Sequence, residues 1–161
     1  MSTHEVAIHE DIARRIGGVL MNFLSESAAG DALLIDRSGQ LLAQGDSSRS
    51  LDTVSMSALA AGAFSSTAAM ARLLGESEFT MLFHQGVRES IHVTAVDEDA
   101  ILLATFDNRT TVGMVRLFAA EASMAIRAIL AESRDRTCRG GVLGGPLDTD
   151  EAPLMFRERS R

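Results

Sequence analysis

F-T-M-L-F-H-Q (79–85), E-S-I-H-V-T-A-V (89–96) and A-I-L-L-A-T-F (100–106) follow one another with only short breaks between them. The breaks carry turn chemistry, at Gln85-Gly86-Val87 and at Asp97-Glu98-Asp99. Each run is rich in β-branched, aromatic and other apolar residues and has the length of an ordinary strand. Connections this short join antiparallel neighbours, because a parallel pair needs a crossover of a dozen residues or more. The stretch is therefore predicted to form three strands of an antiparallel sheet.

Upstream, Ala32-Leu33-Leu34-Ile35 and Leu41-Leu42-Ala43 flank Asp36-Arg37-Ser38-Gly39, which reads as a hairpin. Three helices complete the pattern. Ile12, Ile16, Val19, Leu20, Phe23 and Leu24 recur at helical spacing within residues 5–26. Residues 51–74 lack Pro and are rich in Ala, Met and Leu, with Ser50 as the expected N-cap, Asp52 at the positive end and Gly75 as the stop. Val112, Val115, Ala119, Ala122, Ile126 and Ile129 mark the last helix, with Asn108 and Thr110 as capping candidates. The order is α-β-β-α-β-β-β-α, and the fold class is α+β.

The chain has 161 residues, 46% of them hydrophobic, and a formal charge of −7. One core accounts for that length, with residues to spare. Both prolines, the single cysteine and four of the thirteen glycines fall in the last 28 residues. The expected division is a domain at 1–133 and a flexible tail at 134–161. The domain carries nine Arg against seventeen acids and the tail six against five. All fifteen basic residues are Arg, and Trp and Tyr are absent. One cysteine excludes an internal disulfide and argues against a cysteine-based zinc site. No apolar run follows a basic start, and no stretch approaches the roughly 18 apolar residues of a membrane span. The expectation is a cytoplasmic protein that does not insert in membranes. The acidic balance, without Arg clusters interleaved with aromatics, argues against nucleic acid.

Reactive constellations are missing. Residues 140–145 are glycine-rich, but no helix follows and Pro146 stands where a phosphate loop carries Lys. His4 and His9 are five apart, not the four that puts two metal ligands on one helical face. His84 and His92 lie on neighbouring strands without a nucleophile elbow nearby. The sequon Asn108-Arg109-Thr110 has no meaning in a cytoplasmic chain. No catalytic residue, metal or cofactor is expected.

Two features point to association instead. On a helical projection of residues 51–74, Met56, Leu59, Ala63, Met70, Leu73 and Leu74 form a bulky stripe suited to the sheet. Ala58, Ala61, Gly62, Ser65, Ala69 and Arg72 form a small-residue stripe on another side. That stripe fits either tight packing inside the domain or close approach of a partner. Gly62 costs roughly 1 kcal/mol relative to Ala in mid-helix, which close approach would offset. The strand carrying Phe79, Met81 and Phe83 has no Pro, Lys or inward charge to block pairing if it lies at an edge, so self-association is expected.

The hairpin A-L-L-I-D-R-S-G-Q-L (32–41) resembles the first hairpin of the Roadblock/dynein light-chain family. L-D-T-V-S-M-S-A-L-A-A-G (51–62), A-R-L-L-G-E-S-E-F-T-M-L-F-H-Q-G (71–86) and F-D-N-R-T-T-V-G-M-V-R-L (106–117) narrow the likeness to bacterial members that regulate a Ras-like small GTPase. The resemblance spans roughly residues 30–130. It implies a five-stranded antiparallel sheet with helix two on one face and helices one and three on the other. It implies a homodimer with third strands paired and second helices side by side. The helix-two residues Ala58, Ala61, Gly62, Ser65, Ala69 and Arg72 would then form a platform for one GTPase molecule. GTP hydrolysis would be stimulated without an arginine finger, with Arg49 and Arg72 as surface charges; nucleotide exchange is also associated with the family. Concentration at a cell pole is implied as well. The tail departs from the family pattern: Leu154, Met155 and Phe156 offer a possible contact, but the segment around them ends net positive. A non-stimulatory scaffold and a small-ligand sensor are the other classes this fold allows.

Overall fold

The computed structural model describes residues 3–46 and 49–140, with α1 at Thr3–Ser27, β1 at Asp31–Asp36, β2 at Leu41–Gln44, α2 at Thr53–Leu73, β3 at Met81–Gln85, β4 at Ser90–Ala95, β5 at Ala100–Phe106 and α3 at Val112–Gly140. The strands form one antiparallel sheet in the order β2-β1-β5-β4-β3. Strand β5 is central and every one of its residues is buried. Strands β2 and β3 are the edges.

Because side chains alternate along a strand, the register sorts them between two faces. Ala32 and Leu34 of β1 and Ala100, Leu102, Ala104 and Phe106 of β5 pack beneath α1 and α3. Ile12, Ile16, Leu20 and Phe23 from α1, and Val115, Ala119 and Ile126 from α3, close that layer. Leu33, Ile35, Val93, Ile101 and Leu103 face the other way, toward α2.

The helix ends differ instructively from expectation. Asp52, not Ser50, caps α2: its carboxylate accepts from the Ser55 backbone N–H at 3.1 Å and from the Ser55 hydroxyl at 2.6 Å. These bonds, the hydroxyl's first, hold the Asp52 carboxyl below the usual range. At the far end Gly75 takes φ +81°, Gly75 N–H bonds to Arg72 O and Glu76 N–H to Ala71 O, a Schellman closure. Thr111, rather than Asn108 or Thr110, caps α3 by accepting from the Met114 N–H.

Helix α3 also runs past the expected boundary at 133, to Gly140. Its extension is held by charge, not by apolar period. Arg134 donates to Asp97 and Asp99 at 3.0 Å each, Arg136 pairs with Glu132, and the Thr137 hydroxyl bonds to Ser133 O. The tail beyond it, with Leu154, Met155 and Phe156, lies outside the described residues, as do the side chains of His4 and His9.

One helix corrects the membrane reading. By length and composition alone, α2 is apolar enough to cross a bilayer. In the fold it lies across the sheet with Ser57, Ala60, Ala61, Phe64 and Ala71 buried.

Candidate functional site

Helix α2 does not sit centrally on its face of the sheet. It lies over β1 and β2, with Leu33, Ile35 and Ile101 beneath Ala60 and Phe64. The β1–β2 turn holds it there. Asp36 accepts from Ser38 N–H, Ser38 hydroxyl and Gln40 N–H, so its carboxyl stays below the ordinary range, the Ser38 hydroxyl contributing most. Gly39, at φ +95°, lies so close to α2 that a Cβ there would stand 2.9 Å from Ala58 Cα. From the same turn the Arg37 guanidinium lies 4.9 Å from the Phe64 ring centroid, donates to Asp97 O at 3.1 Å and pairs with Glu78 at 3.3 Å. Cation–π and carbonyl contacts together tie the middle of the helix to the turn.

The consequence is an open groove of about 320 Å³ between α2 and the β3–β4 half of the sheet. Its walls are almost wholly apolar: Met56, Leu59 and Ala63 from α2 face Leu82, Ile91 and Val93 from the strands, with His84 at the margin. Half of the bulky stripe expected to pack on the sheet, namely Met56, Leu59 and Ala63, lines this groove instead. At about 100° per residue it is turned roughly a quarter-turn or more from Phe64, which points into the core. Leu59 is 72% exposed and Leu74 73%, with Met70 and Leu73 exposed beside them. Of the small stripe, Ala61 is buried, whereas Ala58, Gly62, Ser65, Ala69 and Arg72 are exposed. Nothing comes within 4 Å of a Cβ placed on Gly62, so no part of the described chain makes the close approach expected there.

Strand β3 is an edge, which is the condition under which its undefended sequence invites pairing. Met81 and Phe83 turn toward the α1/α3 side, where Phe83 stacks on Phe106 with centroids 6.1 Å apart. Phe79 precedes the strand and is half-buried. The groove residues on the opposite side, Leu82, Ile91 and Val93, were legible only once the register fixed which alternate residues share a face.

The two histidines do not converge. His84 pairs with Ile91 and opens on the groove, while His92 pairs with Phe83 and points to the other face, buried beneath α3. Burial, with the Arg116 charge adding, pushes the His92 pKa down, and its Nδ1 has no partner. Among the described residues no three His, Cys, Asp or Glu side chains gather as metal ligands. Arg49 reaches across to pair with Glu89 at 2.5 Å; Arg72 stands exposed in the last turn of α2, where a cation complements the helix dipole.

The Roadblock/LC7 domain model matches residues 16–106, the hairpin, α2 and the three following strands included. The chain belongs to the Roadblock/LC7 family. Among solved structures this Roadblock chain is similar to Myxococcus xanthus MglB, at 32% identity and TM-score 0.71, over 74% of this chain and 90% of that one. It is similar to the gliding protein MglB of Thermus thermophilus, at 35% identity and TM-score 0.72, over 75% and 92%. An MglB in a tetrameric arrangement matches at 34% identity and TM-score 0.73, over 76% and 92%. Comparison with curated proteins finds no match. The Roadblock order of elements and the five-stranded antiparallel sheet, with α2 on one face and α1 and α3 on the other, are as the resemblance implied.

Proposed function

We propose that this Roadblock protein is a homodimeric, non-catalytic regulator of a Ras-like small GTPase of the MglA kind, and that it stimulates the GTPase's own hydrolysis. The observation that carries the reading is the groove beside α2, which meets an unpaired strand edge at β3. A two-fold axis past β3 would pair the two edge strands antiparallel and bring the bulky side of each α2 against the other. One operation would thus cover the groove and the edge together. The small, exposed residues Ala58, Gly62, Ser65 and Ala69 would then flank the paired helices as a platform for one GTPase molecule.

The chemistry belongs to the GTPase. An arginine finger supplied in trans is worth roughly 10³–10⁵ in rate. Arg49 is tied to Glu89, and Arg72 sits where it serves its own helix end, so both act as orienting charges in this reading. Stimulation comes from tighter binding of the GTPase conformation in which its own residues reach the nucleotide. The protein works in the cytoplasm, concentrated at a cell pole with its GTPase.

The test is phosphate release from an MglA-like GTPase mixed with this chain. Ser65→Arg and Ala69→Arg, on the exposed side of α2, are expected to weaken stimulation roughly 5–150-fold, the equivalent of about 1–3 kcal/mol of misfit. Arg49→Ala and Arg72→Ala are expected to lose far less than a thousandfold. GTPase binding without faster hydrolysis would make the protein a scaffold of the same fold.

A further inference from the structure

A second cleft lies on the opposite side of the molecule, between α1 and α3, with a volume of about 380 Å³. Its apolar lining comes from Val19 and Phe23 of α1 and Phe118, Ala122 and Ala125 of α3. Gly18 opens its α1 wall, since a Cβ there would meet nothing within 4 Å. Glu26 and Glu121 stand at its rim, both exposed and neither in an ion pair among the described residues. The one cation at the rim, Arg15, is engaged by Glu132 at 2.8 Å. The cleft is apolar within and acidic outside.

The chain holds a segment of the complementary chemistry. Leu154-Met155-Phe156 is followed by Arg157, Arg159 and Arg161 with a single Glu158 among them. Helix α3 ends at Gly140, and the cleft begins at Ala125. At 1.5 Å per residue the cleft lies about 22–33 Å back along α3. The fourteen residues 141–154 span up to about 46 Å when extended, enough to return that far. Gly140-Gly141 and Gly144-Gly145-Pro146 supply the chemistry for reversing direction.

We propose that residues 154–161 fold back on their own protomer, seating Leu154 and Phe156 in the α1/α3 cleft with Arg157 and Arg159 against Glu26 and Glu121. The segment thereby covers the side of the molecule remote from α2. It leaves the groove and the platform to other partners.

The test uses the full chain with Cys138→Ser and a nitroxide on Arg161→Cys, with methyl NMR signals of Val19, Ala122 and Ala125 as the readout. At least a twofold loss of those intensities is expected, unchanged when the labelled chain is diluted tenfold into an NMR-silent, unlabelled chain. Gly18→Leu, which fills the cleft, and Phe156→Ser should each restore the signals. Glu121→Arg should weaken the effect, and Glu121→Arg with Arg157→Glu should recover it. Intensities equal to those of the reduced label would overturn the proposal. So would broadening confined to α2 or β3, broadening that vanishes on dilution, or broadening that appears only on an added GTPase.

Discussion

The two faces of the sheet are built from the same strands yet finished differently. On one face, α1 and α3 cover β2, β1, β5 and β4, and Leu20, Leu34, Leu102 and Ile126 are fully enclosed. On the other face a single helix covers half of the width, and its largest enclosed side chain is Phe64. The first face is finished within the chain. The second leaves an apolar groove next to an open strand edge, both unfavourable in water, and in the proposed dimer a second copy covers them.

The largest effect on this contrast should come from Phe64→Ala. It removes the one large buried anchor of the thin layer and the ring under Arg37, so a loss of about 3–5 kcal/mol is expected in urea unfolding. A loss under about 1 kcal/mol would mean that α2 owes little to its own sheet. Next, Leu59→Asp places a charge in the groove. It should weaken self-association by about 2–4 kcal/mol, roughly 30–1,000-fold, in sedimentation equilibrium. Met124→Asp, equally exposed on α3, should leave association unchanged; an equal loss in both would abolish the distinction between faces.

A third measurement probes the finished face through pH. His92 is neutral there, with its pKa depressed below the ordinary 6.5 chiefly by burial. As pH falls below that value the unfolded chain takes up a proton that the folded chain refuses. The stability associated with His92 is therefore intact above pH 6.5 and declines as pH falls toward the folded pKa. His92→Gln should flatten this part of the stability profile relative to the parent; parallel profiles would show that His92 is already solvated. The smallest effect is expected from Arg134→Ala. Its pairs with Asp97 and Asp99 are partly exposed, so under about 1 kcal/mol of stability should be lost, with faster amide exchange confined to the last turns of α3.

What could be read from the sequence follows the same division. Strand β5 was legible to the residue, because a run apolar but for Thr105 and bounded by turn acids has one reading in a sheet. The helices of the finished face were legible too, since their apolar period records a burial completed within the chain. The facing of α2 was not. Met56, Leu59 and Met70 are as apolar as core residues, and periodicity does not tell burial in one chain from burial between two. The end of α3 was hidden for a different reason: Arg134 is a tail-like residue until the β4–β5 turn places Asp97 and Asp99 beside it. The family resemblance implied the edge position of β3, and of the six residues in the small stripe of α2 five lie exposed, while Leu82, Ile91 and Val93 needed the strand register.

Gly39 carries a consequence for how variation in such a chain would be interpreted. It touches no proposed partner, yet its backbone conformation and its distance from Ala58 leave no room for even a methyl group. The spacing between hairpin and helix is thus set by the thickness of bare backbone. Any side chain at 39 would act as a shim, tilting α2 and narrowing or widening the groove on its other flank. A position that looks like mere turn punctuation therefore sets how widely the groove beside α2 stands open.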